Sequence, residues 1–280
     1  MSRLRSRATI LTAGLVALTL TATGCAGGTT GAEDDADTIT IGFTPGPYLE
    51  MFADGVQPLL EADGYTIVTK DFTDGVIVNV ALSGGEIDAN IMQHSVYQDA
   101  INEQEGLDNT ALVQVPTPPM SLFGGKKSTL DEVGTGAQVA VPNQPSNLYR
   151  ALRVLEQIDW VTLSDAVDPA TASLRDVIEN PHDLQFVEME NAQQVAALPD
   201  VDYSVIQGNF VVSGGLSLTD ALELEDLTDE FSVVVSVDAG SVDADWAQAL
   251  LAAYESDEFA DFLAGEDAYA GYNIPRALER

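Results

Sequence analysis

From Thr38 onward the chain alternates between short β-branched runs and helical patterns, and this alternation most narrows what it can fold into. Thr38-Ile39-Thr40-Ile41-Gly42-Phe43, Tyr65 to Asp71, Ala89 to Met92 and Leu112 to Val115 read as strands. Between them, Leu49 to Ala62 reads as a helix kinked or broken near Gly55 and Pro58. Val76 to Leu82 reads as a helix capped by Asp74 and stopped by Gly84-Gly85, and Ser95 to Glu105 as another. Such a pattern predicts parallel, doubly wound sheets.

Pro116-Thr117-Pro118-Pro119 interrupts the pattern. It is stiff and unsuited to a central strand, so it predicts a crossing between two lobes. The alternation then restarts. Gln138 to Val141, Leu184 to Val187 and Tyr203 to Ile206 read as strands, and Ser146 to Gln157 as a helix with Leu148, Leu152 and Leu155 on one face. Ser128 to Glu132 carries a capping-box pattern, with Asp131 answering Ser128. Ser164 to Val167, Ser173 to Ile178 and Ala192 to Ala197 read as short helices. After the acidic run Glu223 to Glu230, Phe231 to Val237 is a strong β run. Ala244 to Glu255 and Glu258 to Leu263 close the chain as helices.

Acidic residues outnumber basic ones 45 to 11, for a net charge of −34, which argues against nucleic acid and against electrostatic docking on anionic lipid. The N-terminus has the parts of a secretory signal: Arg3, Arg5 and Arg7, then an uncharged small-residue stretch from Ala8 to Ala22, too short to span a bilayer comfortably. It ends Ala22-Thr23-Gly24-Cys25, similar to a bacterial lipobox. Residues 1–24 are thus expected to be a signal peptide. Cys25 is the expected lipid attachment site, or else is discarded with the signal. Residues 25–37 would form a flexible tether of Gly, Thr, Ala and acids. Cys25 is the sole cysteine, so an intramolecular disulfide is excluded.

Catalytic signatures are absent: no Gly-x-Ser-x-Gly, no His-Glu-x-x-His, no Walker loop and no dinucleotide fingerprint. With His94 and His182 the only histidines, a metal site is not expected. The sequence points to a protein that is not an enzyme and needs no cofactor.

Polar candidates gather just after strands. In Val139 to Arg150, a buried strand leads through a proline-bracketed loop into a helix, with Ser146 placed as the N-cap. Arg150 then falls in the first turn, where a cation opposes the helix dipole at a cost of about 0.3–1 kcal/mol. Either a nearby anion such as a carboxylate compensates, or the side chain turns to solvent. Gln93 and His94 end one strand, while Gln207 and Asn209 follow another. In open α/β sheets ligands collect at such ends.

Taken in series, several motifs carry a family resemblance. Gly46-Pro47 follows the first strand; Asn79 to His94 reads NVALSGGEIDANIMQH, and Tyr97 follows it. Leu130-Asp131-Glu132 precedes Val139-Ala140-Val141-Pro142-Asn143, with Asn147 and Arg150 beyond. Glu179-Asn180-Pro181, Val205-Ile206-Gln207-Gly208-Asn209 and Tyr254-Glu255-Ser256-Asp257-Glu258 complete the set. Together they resemble the NlpA/MetQ family, the substrate-binding lipoproteins of methionine-type ABC importers, from about Thr38 to Phe262.

The resemblance implies an α/β, two-lobed periplasmic-binding-protein type II fold, two doubly wound sheets joined by two crossing segments. Lobe 1 would comprise 38–117 and 230–280, and lobe 2 would comprise 118–229. It implies that Arg150 pairs a ligand carboxylate, that Gln207 binds the head group where the family has Asn, and that Asn79, His94 and Asn147 line the cleft. Met92 and Met120 would offer an adaptable apolar wall or else ordinary core packing. Gly75, Met92, Pro116 and Pro118 stand where family aromatics pack a thioether. These departures keep the ligand an amino acid or dipeptide and point away from methionine itself.

The expected protein is a monomer, lipid-anchored on the outer face of the bacterial cytoplasmic membrane. It would bind a zwitterionic amino acid (methionine-like) or small peptide and deliver it to an ABC permease. A receptor for a non-amino-acid solute, or a surface lipoprotein with no role in transport, are the alternatives.

Overall fold

Two five-stranded sheets carry the structure, and the chain passes between them twice. The computed structural model describes residues 37–278. The signal peptide, Cys25 and nearly all of the expected tether therefore lie outside the described residues. Chain order begins β1 (Thr38–Phe43), α1 (Tyr48–Met51), α2 (Gln57–Ala62), β2 (Thr66–Asp71), α3 (Gly75–Ser83), β3 (Ala89–His94), α4 (Ser95–Glu105) and β4 (Asn109–Gln114). It continues with β5 (Ser121–Gly124), β6 (Gln138–Pro142), α5 (Pro145–Gln157), the hairpin β7 (Thr162–Leu163) and β8 (Val177–Glu179), then β9 (Gln185–Met189), α6 (Gln194–Ala197), β10 (Tyr203–Ile206) and α7 (Gly208–Ser213). β11 (Glu223–Leu224), β12 (Val233–Asp238), α8 (Asp245–Tyr254) and α9 (Asp257–Gly265) complete it.

The first sheet has the order β2-β1-β3-β12-β4 and the second β11-β5-β10-β6-β9. Neither is wholly parallel, contrary to expectation. β12 runs antiparallel to β3 and β4, and β5 runs antiparallel to β10 and β11. The reason is the crossings: a strand that enters a sheet from the other one does not follow the β-α-β turn that keeps neighbours parallel.

Local chemistry explains most boundaries. Asp74 caps α3 by accepting from the amides of Val76 and Ile77, and Gly85 beyond its end has φ +72°. The helix expected to break near Gly55 and Pro58 instead holds a π-helical segment, Phe52–Val56, between α1 and α2. A Cβ at Gly55 would meet the Phe262 ring at 2.6 Å, so this segment packs closely on α9. Two caps fall elsewhere than expected. The capping box pairs Thr129 with Glu132, and Gln144 occupies the N-cap position of α5, with Pro145 first and Ser146 second in the helix. Arg150 consequently lies in the second turn, beyond the reach of the dipole penalty. Ser164 to Val167 is a turn, and of Ser173 to Ile178 only Leu174–Asp176 is helical, as a 3-10 turn.

The first crossing, 115–120, is buried throughout, so every amide in it needs a partner. Val115 donates to the Val233 carbonyl (2.8 Å), Thr117 to that of Asn273 (3.0 Å), and Met120 to Glu225 Oε2 (2.9 Å). Pro116, Pro118 and Pro119 have no N–H to satisfy. Proline here removes the donors that burial would strand. The Thr117 hydroxyl also accepts from Val233 N–H at the start of β12 (2.8 Å), so the two crossings brace each other. Apolar packing continues through this region, because Phe123, Ile206 and Val211 join the same core as Phe43, Tyr48 and Val115.

α7 packs beneath this crossing. A Cβ at Gly208 would lie 2.2 Å from the Pro118 carbonyl oxygen and 2.6 Å from that of Pro119. Backbone braced on both sides cannot yield, so Gly208→Ala is expected to destabilise the fold by about 1–3 kcal/mol in denaturant unfolding.

Candidate functional site

Arg150 is the centre of the cluster that joins the crossings. Its Nε donates to Glu225 Oε1 at 2.8 Å and its Nη2 to Glu225 Oε2 at 2.6 Å, a bidentate pair with side chains only 2% and 5% exposed. Glu225 directly follows β11, at the start of the second crossing, and also receives the Met120 amide of the first. One carboxylate thus ties helix α5 to both connections. An anion does sit beside Arg150, and it is the chain's own Glu225. The guanidinium carbon lies 5.6 Å from the centroid of the Phe231 ring, just before β12.

His94 reaches the same place from the first sheet. Its Nδ1 accepts from the Tyr97 amide at 3.1 Å, which caps α4. Nδ1 is therefore unprotonated and Nε2 carries the hydrogen, which it gives to Asn147 Oδ1 at 3.3 Å. This bond links β3 to α5 across the two sheets. The ring packs edge-on against Phe231 at 5.2 Å. Burial, followed by the Arg150 charge, holds the His94 pKa down to about 3 against the raising effect of Asn147.

The remaining candidates divide. Asn147 joins the cluster through His94. Gln207, at the N-terminal end of α7, accepts from Asn191 Nδ2 at 2.9 Å. Asn209 Nδ2 donates to the Pro45 carbonyl at 3.3 Å, a second bond between the sheets. Asn79 is placed apart, inside a buried amide network under the first sheet. It bonds Gln93 in both directions (2.6 and 2.7 Å), donates to the Gly75 carbonyl, and accepts from Asn109. Ser236 of β12 accepts from Gln93 in the same network. Its polar atoms are engaged in holding α3 on the sheet. Met120 is buried in the core of the second sheet with Leu122 and Leu148, so its side chain is core packing there. Met92 and the Tyr97 hydroxyl fill the space that a Cβ at Gly75 would enter, at 3.0 and 2.7 Å.

Two residues were not legible beforehand. Glu225 is one acid within an acidic run, and nothing local marks it as the buried one. Asn191 opens the 3-10 turn that follows β9 and looks like ordinary turn chemistry. A cavity of about 690 Å³ near the C-terminus, lined in part by Leu263, Tyr269, Tyr272 and Ile274, shares no residue with this cluster. Among the described residues no His, Cys, Asp and Glu group has the arrangement of a metal site.

Two sheets of this connectivity, with polar side chains meeting where their strand ends face each other, define a type II periplasmic-binding-protein fold. The chain belongs to the NlpA lipoprotein family, which it matches over residues 39–277. It is 31% identical over 229 residues to the D-methionine-binding lipoprotein MetQ of Escherichia coli (strain K12), covering 81% of this chain and 84% of that protein. Lipoprotein 28 of the same organism is 28% identical over 247 residues, 87% of this chain and 90% of its own length. Among solved structures, a nutrient-binding protein from Burkholderia cenocepacia bound to methionine superposes with a TM-score of 0.78 at 32% identity, over 84% of this chain and 99% of that one.

Two outcomes follow from the cluster. Glu225→Ala leaves the Arg150 charge and the Met120 amide buried without partners, at an expected cost of about 3–5 kcal/mol in denaturant unfolding. The double variant Arg150→Met, Glu225→Leu recovers the part of that loss due to the unpaired charge and keeps the part due to the Met120 amide. A single-variant cost below about 1 kcal/mol, the range of exposed pairs, would contradict the pairing. For His94, the unfolded chain takes up a proton near 6.5 while the folded one resists until about 3. The unfolded state binds more protons in that window, so stability falls as pH drops through it. His94→Gln flattens this part of the pH–stability curve, most visibly between pH 6.5 and 5.

Proposed function

We propose that this protein is the solute receptor of an ABC importer, anchored through a lipid on Cys25 to the outer face of the bacterial cytoplasmic membrane. Residues 38–117 with 230–280 act as one lobe and 118–229 as the other. A zwitterionic amino acid, methionine-like, or a small peptide binds between them. Closure then presents the loaded monomer to its permease. No bond is made or broken in the solute.

The observation that carries this reading is the buried Arg150–Glu225 pair at the junction of both crossings, beside the His94–Asn147 bond between the sheets. Glu225 takes the Nε and one Nη2 hydrogen of the guanidinium, which fixes its plane. The N–H groups of Nη1 remain to receive a solute carboxylate. Arg150 in this reading is the carboxylate clamp and Glu225 the residue that aims it. Gln207 and Asn147 supply neutral polar contacts, and His94, held neutral, adds no charge. The relatives that bind methionine support the ligand class.

Native mass spectrometry of the purified protein is expected to show one amino acid or dipeptide per chain. In a thermal-shift panel, that compound at a hundred times its Kd adds about 2.7 kcal/mol of stability. Absence of a shift with every amino acid and dipeptide would overturn the reading.

A further inference from the structure

Three side-chain amides meet at the carboxyl ends of adjacent parallel strands in the second sheet. Gln144 follows β6, Asn191 follows β9 and Gln207 follows β10. Asn191 Nδ2 donates to Gln144 Oε1 at 2.7 Å and to Gln207 Oε1 at 2.9 Å, which uses both of its hydrogens. The direction of this chain is set at its outer end, where Gln144 Nε2 donates to Glu190 Oε2 at 3.4 Å. An ionised carboxylate only accepts, so Gln144 must turn its oxygen toward Asn191, and Asn191 must answer with its nitrogen. Asn191 is 7% exposed, and its Oδ1 is buried with no partner. A buried acceptor left unpaired costs stability, and its persistence needs a reason.

Its position supplies one. Asn147, three residues after Gln144, bonds His94 of the first sheet, while Asn209, two residues after Gln207, bonds the Pro45 carbonyl. Asn191 therefore bridges the starts of α5 and α7, the two helices whose first turns touch the opposite sheet. Of the unpaired buried acceptors among the described residues, on Gln98, Asn109, Asn191 and Gln194, the Asn191 oxygen is the one on a side chain that joins these two helix starts.

We infer that Asn191 is a specificity-determining residue whose Oδ1 accepts a hydrogen bond from the ammonium group of the bound solute. This inference rests on the amino-acid reading given above. Charge favours an ammonium over a neutral donor. Arg150 is balanced by Glu225, and the next carboxylate along the amide chain is Glu190. Tyr97, across from Glu190, registers the same negative field: burial, then Asp74 and Glu190, push its phenol up to about 12.

The test is isothermal titration of the purified protein with each amino acid and with the deaminated acid of the same side chain, methionine and 4-(methylthio)butanoate being the first pair. Wild type is expected to prefer the amino acid. Asn191→Ala lowers that preference about ten- to a hundredfold by weakening only the amino acid, the loss expected for a hydrogen bond to a charged group. Asn191→Asp keeps an acceptor in place and holds or raises the preference. A preference unchanged in Asn191→Ala, with both compounds weakened equally, assigns Asn191 to propping Gln144 and Gln207 and overturns the inference alone. Should Asn191→Ala be too unstable to titrate, Asn191→Asp decides, since a fall in its preference overturns the inference. Wild type binding no amino acid or dipeptide overturns the amino-acid reading, and the inference with it.

Discussion

The Arg150–Glu225 ion pair is the interaction on which the joint between the two sheets depends. A chain with 45 acids and 11 bases has few cations to spend, and it buries one here almost completely. Burying a pair of charges is not in itself a strong source of stability, because desolvation offsets most of the attraction. What the pair supplies is placement. Two hydrogen bonds in one plane fix the guanidinium, and the third bond, from Met120, fixes the carboxylate to the first crossing. Helix α5, β5 and the segment leading to β12 are thereby registered at one point.

The same joint explains why the proline-rich stretch is buried rather than looped out. Connections usually stay at the surface because their backbone groups need water. Here three prolines remove donors, and the remaining amides each find an oxygen on the second crossing or the C-terminal segment. A connection whose N–H donors are all either removed or paired can lie in the interior.

Elements whose signals are local were legible in the sequence. β10 and α4 occur at the expected residues, and Asp74 caps α3 as its spacing indicates. Elements that depend on distant partners were not. β5 and β11 are short and lack alternation; β5 exists because the first crossing delivers it beside β10, and β11 because it returns to pair with β5. Ser146 lost the cap position to Gln144 because Pro145, with its fixed φ and missing N–H, suits the first helical position, which places the cap one residue before it. For the site, the Arg150 neighbourhood was visible as a post-strand helix start. Its partner, 75 residues away in an acidic run, was not. Asn79 shows the opposite limit: a polar residue matched by family position can be consumed by packing, as its bonds to Gln93 and Asn109 show.

Charge balance at the joint also bears on what kind of solute the fold can hold. Glu225 cancels Arg150, and His94 stays neutral because its Nδ1 serves as a helix cap and its surroundings are dry. Asn147, which bonds His94, and the amide chain of Gln144, Asn191 and Gln207 at the neighbouring strand ends carry dipoles and no charge. A free anion would meet a neutralised arginine inside a strongly acidic protein, and a free cation would meet a Glu225 already paired with Arg150. A zwitterion carries both charges on adjacent atoms. In the proposed reading it would give its carboxylate to the open edge of the guanidinium and its ammonium to neutral acceptors without changing the net charge of a buried region. Low-dielectric surroundings penalise any net charge far more than a dipole of the same size. On the proposed reading, an amide-lined, charge-balanced junction would therefore favour charge separation within the solute before any side-chain pocket is consulted.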